Sequence, residues 1–272
     1  MATTMTIPPE IVDQIIDHAH DDTKTLTACS LTAKDWVPST RLHLFKKLSL
    51  LSAHEVARFT ELDRFAPDIL CYCQELSVIC PTRSDTPRVM SGDRVERFTS
   101  LHTLHFRGFS SGVNISNLKE VLTPLLGISE RIITVTITNS SLESCHDLWN
   151  ILRLFPNLKN VHVSDLGYSS NGRGGLFTAP GYRHSPSISS FSLHTYCQGF
   201  VLEQLAEPPY PLTHLRSLEI HHTGQKQQHL HSIATKYQDA ITTLKFSACA
   251  TLGSGTRSTH LYQRLDDANY IS

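Results

Sequence analysis

The sequence has no excess of charge of either sign and no long apolar run, and each absence excludes a class of protein. Its 24 Lys and Arg residues balance 25 Asp and Glu residues, which gives a formal net charge of −1 at pH 7. Without a basic excess, the composition does not indicate a nucleic-acid-binding surface. No run approaches the roughly 18 consecutive apolar residues of a transmembrane helix. We therefore expect neither nucleic acid nor a membrane as a partner.

The sequence also lacks two features of secreted proteins, a signal peptide and a disulfide framework. The N-terminal residues Met1–Thr6 lack the charged and apolar blocks of a signal peptide. The seven cysteines are odd in number and irregularly spaced, which favours free thiols in a reducing compartment over a disulfide framework. We expect the protein in the cytoplasm, the nucleus or both.

Catalytic motifs are missing as well. Cys71, Cys73 and Cys80 do not have zinc-finger spacing and no second pair follows, so we assign them to the core and its rim. The run Gly172-Arg173-Gly174-Gly175 does not follow a buried strand as a phosphate-binding loop does, and a flexible loop explains it better. No Gly-x-Ser-x-Gly segment occurs. We expect a protein that is not an enzyme and has no cofactor.

Histidines provide the best candidate for a metal site. His221 and His222 are adjacent, and His229 and His231 follow shortly after. The first pair lies at the predicted end of a strand and the second at the start of a helix, so the two pairs need not converge. We therefore expect no metal.

The first 45 residues have the pattern of three short helices. Pro8 and Pro9 stand where a helix can begin, and Asp22 can cap a second helix. Pro38 should keep Val37 out of the α conformation and open a third segment, which carries Leu42 and Phe45. The apolar stripes at helical spacing are Ile11, Ile15, Ile16 and Ala19 in the first helix and Leu26, Cys29, Ala33 and Trp36 in the second. Three helices of this length bury too little to fold alone and need a neighbour.

This arrangement resembles the F-box, the motif by which substrate receptors bind the adaptor of cullin-RING ubiquitin ligases. The family pattern is Leu-Pro-x-Glu-Ile/Leu, then an Ile-Leu/Phe pair, then a stretch ending in Val-Cys-Lys-x-Trp. The resemblance implies that a Skp-type adaptor binds Ile7, Pro8, Glu10, Ile11, Ile15, Ile16, Leu26, Cys29, Lys34 and Trp36. The chain departs from the pattern at Ala19, Thr32 and Ala33, which removes apolar volume and would weaken the adaptor's affinity. The alternative is an ordinary helical cap on the domain that follows.

A repeat occupies most of the remaining chain. The pattern apolar-x-x-apolar-x-apolar occurs eight times, with starts 26 to 31 residues apart. The matches are Phe45-Leu48-Leu50, Cys73-Leu76-Val78, Leu101-Leu104-Phe106, Ile132-Val135-Ile137, Leu158-Val161-Val163, Ile188-Phe191-Leu193, Leu215-Leu218-Ile220 and Ile241-Leu244-Phe246. Every one of these positions is apolar in a chain that is only 40% apolar, so chance does not explain the register.

The repeat resembles the leucine-rich repeat, in which each unit has one short strand and one helix. Asn139 lies near the family's Asn position in the fourth unit. The resemblance implies an α/β fold in which seven or eight strands of three to five residues form a parallel sheet. That sheet would line the inner face of an irregular, curved solenoid, with helices or loops outside.

Helices are predicted between the strands. Ser52 and Glu55 form a capping box at the start of one helix. Asn117 and Glu120 open another, which Pro124 must kink or shorten. Two more apolar stripes have helical spacing: Leu142, Cys145, Leu148, Leu152 and Phe155, and Leu230, Ile233, Ala234 and Tyr237.

The chain therefore divides into three parts. Residues 1–45 are the F-box-like adaptor-binding motif, residues 46–250 the repeats, and residues 251–272 a C-terminal cap or tail. The last part could be the polar cap that a solenoid needs, or the end of a truncated or mis-spliced longer receptor. The sequence leaves both interpretations open.

Side chains that alternate with the apolar positions should form polar columns on the exposed face of the sheet. We expect a protein target to bind there through His105, Arg107, His162, His194, Glu219, His221 and Lys245. Two alternatives stand: a sheet face that is only solvated, and recognition through loops such as residues 168–186.

Two functions follow from these patterns. The first is a non-catalytic substrate receptor of an SCF-type ubiquitin ligase, as the resemblance to F-box proteins implies. The second is a leucine-rich-repeat scaffold for protein interactions that is unconnected to ubiquitin ligation. An uncovered apolar face on the first 45 residues favours the receptor.

Overall fold

Nine strands form one sheet in which each strand pairs with its neighbour in the sequence. The computed structural model describes residues 7–79, 92–108, 122–142, 145–168, 186–194, 205, 212–222, 232–233, 235–249 and 258–264. The strands are β1 (Lys47–Leu50), β2 (Glu75–Ile79), β3 (Thr103–Arg107), β4 (Thr134–Leu142), β5 (Asn160–Tyr168), β6 (Ser190–His194), β7 (Ser217–His222), β8 (Thr243–Cys249) and β9 (Ser258–Arg264).

Strands β1 to β8 are parallel, which confirms the prediction of an α/β fold with a parallel sheet of seven or eight strands. The predicted register is confirmed too, because equivalent positions of the repeat face one another along the sheet. One aligned row is Leu48, Leu76, Leu104, Val135, Val161, Phe191, Leu218 and Leu244.

A repeated backbone contact fixes this register where the strands begin. The carbonyl of Lys46 accepts hydrogen bonds from two successive backbone N–H groups, of Gln74 at 2.8 Å and of Glu75 at 3.0 Å. Six later carbonyls accept the same pair of bonds from the following unit: those of Gln74, His102, Ile133, Lys159, Ser189 and Arg216. We call these seven pairs of hydrogen bonds the entrance ladder. Each satisfies polar groups that would otherwise be buried without a partner.

The apolar rows form one continuous core behind the sheet. Leu76 and Val78 are both fully buried, and their equivalents in β3 are buried with them. The residue three positions before the pair is buried as well in these units, as Cys73 and Leu101 are, whereas Phe45 before β1 is half-buried. Because no unit can cover its own apolar side, each depends on the units on either side of it.

Four strands are longer than predicted. β4 and β5 have nine residues each, well beyond the three to five predicted, and β7 and β8 exceed that range by one and two residues. β4 and β5 both pass through a residue in the left-handed region, Asn139 at φ 47° and Asp165 at φ 51°, and then continue to pair. Gly108 takes φ 75° at the equivalent point after β3. Asn, Asp and Gly adopt this conformation at low strain, so the bend recurs in three adjacent units.

Helices and turns occupy the other side of the repeats and the N-terminal part. The α-helices are α1 (Pro9–His18), α2 (Thr23–Thr32), α3 (Val37–Leu44), α4 (Ala53–Phe65), α5 (Gly92–Val95) and α6 (Cys145–Leu152). The 3-10 helices are Lys34–Trp36, Pro67–Tyr72 and Leu126–Arg131, and residues 122–125 are also helical.

The predicted helix caps are present where the structure describes them. The Asp22 carboxylate accepts hydrogen bonds from the backbone N–H groups of Lys24 and Thr25, which caps α2. Ser52 caps α4 in the same way, accepting from the N–H of Glu55. The Glu55 carboxylate in turn accepts from the N–H of Leu51 at 2.7 Å.

One helix prediction was wrong. Val37 has φ −59° and ψ −44°, so it is in the α conformation that Pro38 was expected to exclude. It is the first residue of α3 and Pro38 is the second, a position where the missing N–H of proline has no partner to lose. The predicted capping pair Asn117 and Glu120 lies outside the described residues, as does the start of the stripe at Leu230.

The C-terminal part contributes a strand that the sequence analysis did not predict. β9 lies within residues 251–272 and pairs antiparallel with β8. It therefore hydrogen-bonds to the edge that the parallel stack would otherwise leave open, which is the role expected of a cap.

The cysteine prediction is confirmed in the described part of the second repeat. Cys73 is buried in the core and Cys71 is half-buried at its rim, and both are free thiols. Desolvation raises the pKa of the Cys73 thiol to about 12. Cys80 lies outside the described residues. Among the helices that the structure describes, none is long and apolar enough to cross a membrane.

A buried carboxylate connects the first repeat to the segment before β3. Asp63 on α4 accepts hydrogen bonds from Arg94 Nε at 2.9 Å and from Arg97 Nη1 at 3.0 Å. Asp63 is almost fully buried, whereas both arginines reach solvent. The two charge-assisted bonds compensate for the desolvation of the carboxylate.

We predict that Asp63→Ala lowers the free energy of unfolding by about 2 kcal/mol, because it removes two hydrogen bonds between charged groups. Urea denaturation measures the change. Glu61→Ala is the matched control, since Glu61 is exposed on the same helix and should change stability by less than about 0.5 kcal/mol. Equal stability of the two variants would contradict the prediction.

Candidate functional site

Helix α1 has two apolar stripes that face in different directions. Val12 and Ile16 are buried and pack with Leu26 of α2 in the small core of the N-terminal helices. Ala19, Trp36 and Leu44 lie against this core. The sequence analysis predicted one stripe that contained Ile11, Ile15 and Ile16, and the structure corrects this by placing Ile16 inside.

The second stripe is uncovered. Ile7, just before α1, and Ile11 and Ile15 on it follow one another at four-residue spacing, and these residues are 51%, 45% and 44% exposed. We call these three residues the isoleucine row. Leu31 at the end of α2 is also exposed. Such a row of large aliphatic side chains in water is unfavourable unless another surface covers it.

The remaining residues of the predicted adaptor site divide between surface and interior. Pro8, Glu10 and Lys34 are exposed, and Cys29 and Trp36 are half-buried. Leu26, like Ile16, is fully buried, so neither can contact a partner directly. These two residues instead hold α1 and α2 together. The residues where the F-box pattern fails are also divided, since Ala19 packs on the core while Thr32 is exposed.

Polar contacts between α1 and α3 keep the isoleucine row facing outward. The Ser39 hydroxyl donates to the carboxylate of Asp13, and His43 Nε2 lies 2.8 Å from Asp17 Oδ1. Asp13 and Asp17 are one helical turn apart, so both contacts lie on one side of α1. The side that carries Ile11 and Ile15 is therefore left free of α3.

An open groove lies beside this unit. It has a volume of about 520 Å³, and α2, α3 and the 3-10 helix Pro67–Tyr72 contribute its walls. Leu31 and Arg41 line it from the helical side and Ile69 from the first repeat. The groove therefore marks the junction between the N-terminal helices and the sheet domain.

The polar face of the sheet is the second candidate surface. Arg107, His162 and His194 are exposed, and the other predicted target-binding residues are half-buried: His105, Glu219, His221 and Lys245. The rows predicted for this face are confirmed by the register, with His105, Thr136, His162, Ser192, Glu219 and Lys245 aligned along one of them.

At one end of this face, Glu75 lies between a lysine and a histidine. Lys47 Nζ lies 3.2 Å from Glu75 Oε2, and His105 Nε2 lies 3.7 Å from the same atom. Burial lowers the pKa of His105, because a partly desolvated imidazolium is disfavoured, and the carboxylate of Glu75 opposes this effect. The sequence analysis did not name Lys47 or Glu75, although both occupy polar positions of the first two strands.

At the other end, three predicted residues come together on β6 and β7. The His194 and His221 rings are stacked with centroids 3.4 Å apart, and His221 Nε2 lies 3.2 Å from Glu219 Oε1. Ser192 Oγ donates to the other Glu219 oxygen at 3.4 Å. We call His194, Glu219 and His221 the His–Glu cluster. The register creates it, since His194 is the direct partner of His221.

The charges in the His–Glu cluster influence one another. Burial lowers the pKa of His194, and the neighbouring His221 lowers it further. Burial alone would raise the pKa of Glu219, but the hydrogen bond with His221 and the charges of Lys245 and the two histidines outweigh it, so the pKa is lowered. Glu219 is therefore a carboxylate at neutral pH.

The His–Glu cluster differs from the group of histidines that the sequence offers as the best candidate for a metal site. His221 was considered there together with His222, His229 and His231. The last two lie outside the described residues, and the structure instead brings His221 to His194, which is 27 residues earlier in the chain.

Comparison with known proteins does not assign the chain to a family. No family model matches the chain, and none of the curated proteins matches it. The two candidate surfaces therefore rest on the residues and geometry described above.

We predict that acid destabilises the fold partly through His105. The unfolded chain binds the imidazole proton with a pKa near 6.5, whereas the folded protein binds it only at lower pH. Below about pH 6.5 the unfolded state therefore takes up more protons, and the free energy of unfolding falls as the pH falls. His105→Gln removes this contribution, so its stability should fall less than that of the wild type between about pH 7.5 and about pH 5.

Chemical denaturation across this pH range measures the difference. His214→Gln is the control, because His214 is exposed and precedes β7, and it should keep the wild-type pH dependence. An NMR titration that gives His105 a pKa above 6.5 would contradict the prediction.

Proposed function

We propose that the protein is a non-catalytic substrate-recognition subunit of an SCF-type cullin-RING ubiquitin ligase. Its N-terminal helices would act as an F-box that binds a Skp-type adaptor. Its sheet domain, an irregular leucine-rich-repeat solenoid in this proposal, would bind a protein target. The observation that carries the proposal is the isoleucine row, because it lies in the segment with the F-box pattern and is uncovered.

The small core of the N-terminal helices supports this interpretation. Only Val12, Ile16 and Leu26 are buried apolar residues there, and Ile7, Ile11 and Ile15 remain in solvent. A helical cap that served only the repeats would have little reason to expose this row away from its own core. An adaptor that covered it would remove apolar surface from water, at about 25 cal/mol for each Å².

The repeat geometry supports the second half of the proposal. The rows of apolar residues and the entrance ladder recur from unit to unit, and a left-handed residue occupies the equivalent position after β3 and within β4 and β5. One strand followed by a helical or irregular return, at a period in the high twenties, is the organisation of leucine-rich repeats. Side chains on the polar face all point the same way from a backbone held on both sides. A target would therefore bind there with little loss of conformational freedom.

Such a receptor acts through proximity and needs no catalytic residue. Holding the target and the ligase on one chain raises the effective concentration of target lysines near the ubiquitin-charged E2 enzyme.

The alternative function is a repeat scaffold that binds a protein partner but no ligase. A scaffold would bind its partner through the same polar face as the receptor. The two functions differ only in whether a ligase adaptor covers the isoleucine row. The departure from the F-box pattern at Thr32, which is exposed, favours this alternative by removing a contact that an adaptor would use. Adaptor binding decides between the two.

We predict that Ile11→Ala and Ile15→Ala each weaken binding to a purified Skp-type adaptor by about 1–3 kcal/mol, which is roughly ten- to hundredfold in Kd. Both side chains are exposed, so their truncation should leave the fold intact. Isothermal titration calorimetry with the full chain measures the affinity, and circular dichroism verifies the fold. Ile16 is unsuitable for this test because its truncation would cut into the core.

Phe65→Ala is the matched control, since Phe65 is an equally large exposed side chain on α4, away from the isoleucine row. It should bind the adaptor as tightly as the wild type. The receptor proposal is refuted, and the scaffold remains, if the folded wild-type protein does not bind the adaptor or if Ile11→Ala and Ile15→Ala both bind it at full affinity.

We also predict that target binding depends on charges of the polar face. Once proximity labelling in cells has identified a partner, Arg107→Glu and Lys245→Glu should each weaken its binding at least about tenfold, because buried charge reversal at an interface costs several kcal/mol. Arg58→Glu is the control, since Arg58 is exposed on α4. If only deletion of residues 170–185 abolishes binding, the target is recognised by that loop and the polar face is excluded.

A further inference from the structure

The His–Glu cluster has the donor set of a metal site. Two imidazoles and one carboxylate each offer a ligand atom, and these atoms all lie within 4.8 Å of one another. They come from two adjacent strands, so the backbone fixes the spacing of His194 and His221. Imidazole and carboxylate are ligands that zinc and other divalent transition-metal ions accept in proteins.

The distances fit a small divalent ion. Zinc–nitrogen bonds of about 2.0–2.1 Å place two tetrahedral ligand atoms about 3.3 Å apart. His221 Nε2 and Glu219 Oε1 are already 3.2 Å apart. The two rings are stacked 3.4 Å apart with 23° between their planes, so one ring must turn before both can bind a single ion in the plane of the ring. His194 is exposed, so we expect its ring to be the one that turns.

We propose that His194, Glu219 and His221 bind one divalent transition-metal ion of the zinc type on the polar face of the sheet. This goes beyond the proposed receptor function, departs from the expectation of no metal, and does not depend on the adaptor. Three protein ligands leave a fourth position open, as in zinc sites that keep an exchangeable water. The site faces solvent, so a histidine, cysteine or carboxylate of a bound protein could fill that position.

Charged residues near the His–Glu cluster should also change its affinity for a metal ion. The positive charge of Lys245, which is the register partner of Glu219, acts on that carboxylate and opposes a bound cation. The Asp165 carboxylate acts on His194 with the opposite sign. Removing the charge of Lys245 should therefore strengthen metal binding, whereas removing a ligand should weaken it.

Calorimetric titration of the full-length, EDTA-treated and reduced protein with Zn²⁺ tests the proposal. We expect one equivalent to bind, and His194→Gln, Glu219→Gln and His221→Gln each to weaken it at least about tenfold. His105→Gln is the matched control, since His105 belongs to the same polar face but lies on β3, at the other end of it. It should bind as the wild type does, and Lys245→Gln should bind more tightly.

Two further measurements separate this site from the cysteines and other histidines. Zn²⁺ should shift the NMR signals of the His194 and His221 rings but not those of His105. Bound Co²⁺ should show the absorption of nitrogen and oxygen ligands without the charge-transfer band of a thiolate. The proposal is overturned if the wild type binds no stoichiometric Zn²⁺, if the three ligand variants bind like the wild type, or if the Co²⁺ spectrum is that of a thiolate site. Circular dichroism of each variant verifies that a loss of binding is not a loss of fold.

Discussion

The entrance ladder is the contact on which the rest of the structure depends. A single carbonyl accepts two successive N–H groups from the next unit, and this occurs at seven consecutive junctions. A slip of one residue at any junction would turn the apolar row to solvent and the polar row to the core. The ladder and the buried rows therefore enforce the same register, and the polar rows align as a consequence.

The N-terminal helices have no such repeated contact, and a small core holds them together instead. Their core has three buried apolar residues, and polar contacts from Asp13 and Asp17 to α3 supplement it. With so little burial, the unit relies on its neighbours for stability. The isoleucine row then adds apolar surface that the described part of the chain leaves exposed. A partner on this row would both bury it and stabilise the helices.

The sequence predicted the sheet because the information is local and repeated: two apolar residues separated by one, at a nearly constant interval. The same pattern could not reveal what covers α1, since Ile15 and Ile16 are equally apolar and neighbours in sequence, yet one is exposed and the other buried. The length of β4 and β5 was missed because it depends on Asn139 and Asp165 adopting a left-handed conformation. β9 was missed because its pairing with β8 is set by the stack it covers.

The His–Glu cluster shows how a parallel stack makes a site that no single motif encodes. Neighbouring strands bring equivalent positions to within van der Waals contact, so a histidine in one unit and a histidine in the next must meet. His194 and His221 do so and stack at 3.4 Å. His105 and His162 lie on a different row and are separated by Thr136 of the strand between them. The chemistry of the polar face therefore depends on which units are adjacent. One substitution at position 194 or 221 would remove the cluster and leave the sheet intact.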